Sequence, residues 1–265
     1  MIRDITLGQY YPKDSFIHQL DARTKIIAAV FYIIDLFLIN SMTGFLIAAI
    51  AVGITIAISH VPVSFIFRGL KAVFLIIAFT FVLNVFLFDG RILWQWKFLT
   101  ITYEGLYRAV FMAVRVILLI IGTSLLTFCT KPTELTDGLE KLMKPLKKIG
   151  VPSHEIALMM TIALRFIPVL MEEADKIMKA QQSRGADFES GNIVQRAKSL
   201  IPILVPLFVS AFRIAGELAL AMEARCYHGG EGRTRLHEKS FSRKDILAAI
   251  LIILFFGMIV SLRFV

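Results

Sequence analysis

The chain has 265 residues, of which 57% are hydrophobic and 18% charged, with a mean hydropathy of +0.73 and a formal net charge of +9. A soluble domain of this length carries more charge and less Phe, Ile and Leu, so the bilayer is the solvent for much of the chain. The surplus of Lys and Arg fits cytoplasmic loops and anionic lipid, and no basic block has the interleaved aromatics that would stack on bases, so nucleic acid is excluded as a partner.

Residues 1–25 read as a polar segment at the membrane surface, without the hydrophobic core of a cleavable signal. Apolar runs are expected at 26–39, interrupted by Asp35, and at 45–58, after the uncharged link 40–44. A third run covers 72–88, after a polar stretch that carries Arg68 and Lys71. Residues 89–104 read as a loop whose Trp94, Trp96 and Tyr103 suit the headgroup layer. The fourth run, 109–129, contains Arg115. In the second run Ala49, Gly53 and Ala57 recur every four residues, a spacing that favours close helix packing inside the chain.

The character changes at Lys131. Leu135, Leu139, Leu142 and Leu146 alternate with acidic and basic residues at helical spacing, with Pro132 and Thr133 at the start and Pro145 and Gly150 near the end. A second helix is expected over Ser153–Arg184, kinked at Pro168, and a third over Ile193–Arg225, kinked near Pro202 and Pro206. The second begins apolar, the third is apolar in the middle at Leu204–Phe212, and both become charged toward the end. The last apolar run is 246–262. Lys and Arg gather in the N-terminal segment, the 59–71 loop and the 130–244 block, which places these three in the cytoplasm.

The most informative feature lies in that block. Moving the third helix back by 41 positions aligns Ala215 with Ala174, Ala221 with Ala180, and Arg225 with Arg184. A basic residue at one helix C-terminus is favourable in itself. Two in matched context point to a partner, because a guanidinium at a projecting helix end is shaped for bidentate contact with a carboxylate. Asp35 and Arg115 lie inside apolar runs, where charges are costly, and read as a structural pair. The histidines show no metal spacing, and Gly229-Gly230-Glu231-Gly232-Arg233 lacks the Lys-Ser/Thr ending of a nucleotide loop, so neither a metal nor a bound nucleotide is expected in this chain.

The order of these motifs resembles the transmembrane T component of energy-coupling factor transporters, the EcfT/CbiQ-like family. The resemblance rests on Gly8 to Pro12 with Ser15 to Lys25, on Pro145 to Pro152, on Ala163 to Pro168, and above all on Ser183-Arg184-Gly185 and Ala224-Arg225-Cys226-Tyr227. Ser183 and Cys226 stand where Ala and Gly are usual, so a different cap is expected at the second helix end; Ala22 stands where Pro is frequent. The resemblance implies an all-α membrane protein with about five transmembrane helices and a cytoplasmic coupling domain of long amphipathic helices. Residues 1–25 would be interfacial, 26–129 transmembrane, 130–244 the coupling domain and 245–265 the last membrane helix.

It further implies a non-catalytic scaffold in the cell membrane that joins two ABC-type ATPases, which bind the ATP, to a membrane substrate-binding S component for uptake of vitamins or other micronutrients. Ser183, Arg184, Gly185, Ala224, Arg225 and Cys226 would dock the ATPases. A self-sufficient secondary transporter is the alternative and predicts a polar site at mid-membrane, for which Asp35 and Arg115 are the only support. A membrane-bound enzyme would need a His, Asp or Glu constellation that the sequence does not offer.

Overall fold

The computed structural model describes residues 10–87, 90–96, 99–188, 192–230 and 241–264. The expectations for residues 1–9, Asp89, the 231–233 glycine-rich stretch and His237 lie outside these, as do the side chains of Trp94 and Trp96. Among the described residues the chain is helical, with one short hairpin. It divides into two compact units, one made of Gly8–Lys141 with Glu238–Val265, the other of Leu142–His237.

The first unit contains α1 (Phe16–Gln19), α2 (Ala22–Leu38), α3 (Met42–Ser59), α4 (Val63–Leu87), α5 (Tyr103–Cys129), most of α6 (Pro132–Met143) and α10 (Arg243–Phe264). Short polar caps punctuate the apolar runs. Ser15, Asp21, Ser41 and Thr102 each accept a backbone N–H in the first turn of the helix they precede, which satisfies donors that would otherwise be orphaned. The α4 helix begins within the polar stretch expected to be a loop, and bends by 59° between Val63–Lys71 and Val73–Leu87. The expected 89–104 loop contains an antiparallel hairpin of β1 (Ile92–Trp96) and β2 (Leu99–Thr102).

Within the first unit, α2, α3, α4 and α5 alternate in direction. At one end, Leu36, Ile39, Phe45, Ala48, Leu118 and Ile259 form a buried cluster that joins the end of α2, the start of α3 and the end of α10. At the other, Val61, Ile66, Phe128 and Cys129 gather the end of α3, the start of α4 and the end of α5. The small-residue stripe of α3 does not serve this packing. Ala49, Gly53 and Ala57 are exposed, and a Cβ on Gly53 would meet nothing within 4 Å. Phe45, Ala48 and Val52 face the core in their place because they lie on the opposite side of the helix.

The second unit contains the 3-10 turn Lys144–Ile149, α7 (Ser153–Ser183), α8 (Ile193–Ser199) and α9 (Ile201–Ala224). The α7 helix runs through Pro168. The expected third helix is divided at Leu200, so that Pro202 falls in the first turn of α9, where its missing N–H is harmless.

Among the described residues, five helices are long and apolar enough to cross a membrane: Met42–Ser59, Tyr103–Cys129, Ser153–Ser183, Val194–Ala224 and Arg243–Leu262, with the bent α4 as a sixth. This set differs from the five apolar runs of the sequence. It includes both long helices of the second unit and omits α2, which has 17 residues and carries Arg23, Lys25 and Asp35. The protein is a multi-pass membrane protein.

Candidate functional site: two arginine-tipped helix ends

The ends of α7 and α9 are built alike, bond for bond. Arg184 and Arg225 occupy the C-cap positions with nearly equal backbone angles, φ −90°, ψ 7° and φ −95°, ψ 14°. The next residue turns left-handed in both, Gly185 at φ 87° and Cys226 at φ 54°. Gly185 N–H donates to the Gln182 carbonyl at 2.9 Å and Ala186 N–H to the Gln181 carbonyl at 3.0 Å. Cys226 N–H donates to the Glu223 carbonyl at 2.9 Å and Tyr227 N–H to the Met222 carbonyl at 3.0 Å. Each pair is a Schellman closure, which satisfies the last helical carbonyls and turns the chain sharply away from the axis. The different cap expected from Cys226 is therefore not found: a cysteine takes the glycine conformation, at the steric cost of a Cβ in that region.

The closure leaves both guanidinium groups on exposed residues at the tips. Ser183 turns its hydroxyl back to the Lys179 carbonyl at 3.0 Å, a bond within its own helix, and Ala224 continues α9 up to the cap. A cationic side chain beside the negative end of a helix dipole is stabilised, and its donors project outward for an acceptor elsewhere.

The two tips do not point from the same place. Gln181, near the end of α7, donates from Nε2 to the Pro202 carbonyl at the start of α9, at 3.4 Å. Tyr227, just past the end of α9, places its hydroxyl 3.3 Å from Nε2 of His154 at the start of α7. The helices are thus antiparallel, and the tips stand apart by about the length of the 24-residue α9, roughly 36 Å. One face of α9 is an exposed apolar stripe of Ile201, Leu204, Val205, Phe208, Val209 and Phe212 at the spacing of successive helical turns.

Asp35 and Arg115, in the first unit, do not form an ion pair among the described residues. Arg115 donates from one terminal nitrogen to the Ile39 carbonyl at 2.8 Å, at the C-cap of α2, and lies over the rings of Phe37, Phe45 and Phe111. Asp35 is buried one turn earlier, and its Oδ1 has no hydrogen-bond partner among the described residues. Arginine prefers the open helix carbonyl and three aromatic faces to a carboxylate whose approach would desolvate both charges.

The sequence reading missed three polar groups that hold the opposite end of this unit. Lys25, buried, donates to the carbonyls of Cys129 at 2.9 Å and His18 at 3.2 Å. Asp245, also buried, serves the starts of both α2 and α10. His18 lies between Ser15 Oγ at 2.7 Å and the Tyr11 carbonyl at 3.1 Å. The only signal in the sequence was the density of polar residues beside an apolar run.

Comparison with known proteins agrees with this architecture. Residues 13–236 match the family model described as CbiQ, cobalt transport protein. The chain is 59% identical over 252 residues to the energy-coupling factor transporter transmembrane protein EcfT of Clostridium kluyveri, covering 94% of this chain and 93% of that protein. It is 53% identical over 265 residues to the EcfT protein of Ruminiclostridium cellulolyticum, covering 100% and 99% of the two chains. It is 44% identical to that of Bacillus subtilis, again over 265 residues, covering 99% and 100%.

Proposed function

The chain belongs to the CbiQ family, with relatives that are transmembrane components of energy-coupling factor transporters, and on that premise we propose that it is the coupling scaffold of an ATP-driven importer. It joins two cytoplasmic ABC-type ATPases to a membrane S component that binds a vitamin or another micronutrient. The observation that carries this reading is the pair of identically closed, arginine-tipped helix ends at opposite ends of an antiparallel helix pair. One shape presented twice, roughly 36 Å apart, suits two copies of one kind of subunit, or two close relatives.

Arg184 and Arg225 are the anchors, each donating to a carboxylate in a groove of one ATPase, and Ser183, Gly185, Ala224 and Cys226 shape the ends that enter the grooves. A charged hydrogen bond of this type contributes about 1.5–3 kcal/mol. The apolar stripe of α9 and the apolar first half of α7 hold the S component, because an exposed stripe of this size needs cover. The ATP is bound by the partner subunits and this chain performs no chemistry. On the concentration of Lys and Arg we read the N-terminus and the second unit as cytoplasmic, so that α7 and α9, though long and apolar enough to cross a membrane, have their apolar surface covered by partners instead.

The test is co-purification from the native membrane in mild detergent, with transport measured alongside. The wild-type chain brings down two ATPases and a small membrane protein. The double variant Arg184→Glu, Arg225→Glu retains its helices, loses the ATPases and does not support transport. A double variant that keeps both ATPases and a normal rate overturns the anchor role. A wild-type chain that purifies alone favours the self-sufficient transporter, with Asp35 as the next residue to replace.

A further inference from the structure

The segment that follows the second arginine does not simply leave the helix. Tyr227 is fixed by the closure of α9, since its N–H bonds the Met222 carbonyl at 3.0 Å. Its hydroxyl is 3.3 Å from His154 Nε2, in the first turn of α7. Three residues further on, Gly230 lies so close to the His154 ring that a Cβ there would overlap it. The imidazole is thus held on two sides by one short stretch of chain, through a hydrogen bond and a backbone approach that only glycine permits. At the other end of the pair, Gln181 spans to Pro202.

We propose that His154 and Tyr227 are positioning residues that strap the Arg225 tip to the start of α7, so that α7 joins the two arginine tips into one rigid frame. This inference rests on the coupling reading given above. The path runs from Arg225 through Tyr227 and His154 into α7, then along a single 31-residue helix to Arg184. A displacement applied at one tip reaches the other through this helix. Loosening the strap weakens the link between the α9 tip and α7, so that the two tips can move more independently.

Energy coupling requires the frame rather than the anchors alone. If each tip yields independently when its ATPase closes, ATP is hydrolysed and little work reaches the S component. The strap therefore acts on the ratio of substrate moved to ATP hydrolysed, and leaves the affinity for the ATPases unchanged.

The experiment uses the full transporter reconstituted in liposomes. Tyr227→Phe removes the hydroxyl and keeps the ring. Its expected result is a several-fold fall in substrate transported per ATP, with ATPase subunits co-purifying as in the wild type. A second readout is the distance between spin labels at Lys179→Cys and Ala221→Cys, in a background with Cys129 and Cys226 replaced. Tyr227→Phe broadens this distribution, and so does His154→Ala. Gly230→Val, which displaces the ring by a different route, does the same. His154→Gln, which keeps an acceptor near the hydroxyl, restores much of the coupling ratio.

An unchanged ratio and an unchanged distance distribution in Tyr227→Phe overturn the strap. The anchor reading is tested separately by the double variant Arg184→Glu, Arg225→Glu. If that variant retains both ATPases, the anchor reading fails; if it loses them while Tyr227→Phe transports at the normal ratio, only the strap fails.

Discussion

The carboxylate of Asp245 accepts the hydroxyl of Thr24 at 3.1 Å, and with that contact one buried group closes two helices at once. The same Oδ1 accepts the Asp21 N–H at 2.8 Å, at the start of α2, and Oδ2 accepts the Ser242 N–H at 2.8 Å, at the start of α10. The positive ends of two helix dipoles and three donors converge on one negative charge. Asp245→Ala leaves these donors unmet inside the protein and costs about 3 kcal/mol, whereas Thr24→Val costs about 1 kcal/mol. Reversible unfolding in mixed micelles checks both; equal losses would mean that the carboxylate has no special part.

Lys25 does the converse at a helix C-terminus. Its ammonium donates to the Cys129 carbonyl at the last turn of α5 and to the His18 carbonyl in the last turn of α1. Lys25→Met keeps most of the apolar stem and removes the charge, and lowers stability by about 2 kcal/mol. The same micelle unfolding assay reads it, with Lys25→Arg as a control that keeps the charge.

Tyr32 and Gly122 show how tightly α2 and α5 approach. The Tyr32 hydroxyl donates to the Leu118 carbonyl at 2.8 Å, and the ring crosses Gly122 where any Cβ would overlap it. Gly122→Ala overpacks this crossing and costs about 2 kcal/mol. Tyr32→Leu in the same chain recovers part of the loss, which a double-mutant cycle of unfolding free energies measures.

The two helix ends differ in one residue that matters for strain. Gly185→Ala forces a Cβ into the left-handed region and destabilises α7 by about 1 kcal/mol. Cys226→Gly relaxes the same conformation at φ 54° and stabilises the end of α9 by up to about 1 kcal/mol. Hydrogen exchange at the amides of Ala186 and Tyr227, which close the two ends, follows each change locally.

His18 gives the fold a pH dependence. The Tyr11 carbonyl requires a proton on Nε2, and in the neutral ring Nδ1 accepts from the Ser15 hydroxyl. Burial, and then the nearby Lys25 charge, hold the imidazole below its ordinary 6.5, against an opposing pull from the Tyr11 and Phe128 carbonyls and Asp14. Because the native state binds the proton less readily than the unfolded chain, this contribution is whole above about pH 6.5 and is lost as pH falls through the lowered native value. Melting temperatures between pH 7 and pH 5 decline for the wild type and decline less steeply for His18→Asn.

Much of the fold was legible in local pattern. The apolar runs located α2, α3, α5 and α10, and the leucine spacing after Lys131 located α6, because helix formation in lipid depends on a stretch of residues that avoids water. The run at 72–88 located the second arm of α4, but its start was misjudged because Arg68 and Lys71 read as loop, although both long side chains can extend from a helix while their stems stay on apolar surface. The hairpin at 92–102 was missed because its few alternating residues give too short a signal.

The arginine tips were legible for a different reason. A C-cap residue and its left-handed successor are consecutive in sequence, so the motif could be read twice and the 41-residue shift noticed. What could not be read was where each side chain finds its partner. Arg115 bonds the Ile39 carbonyl 76 positions away rather than Asp35. Asp245 reaches back 221 positions to Thr24, and Tyr227 reaches back 73 to His154.

By itself, the sequence determined the membrane class, the family and the position of the two arginine helix ends, since each follows from composition or from neighbouring residues, while the structure decided that Cys226 closes its end as Gly185 does. Only the tertiary structure decided the antiparallel setting of α7 and α9, the separation of their tips and the buried polar clamps. These depend on which distant backbone groups are left unsatisfied once the helices pack, a property that no local window of sequence contains.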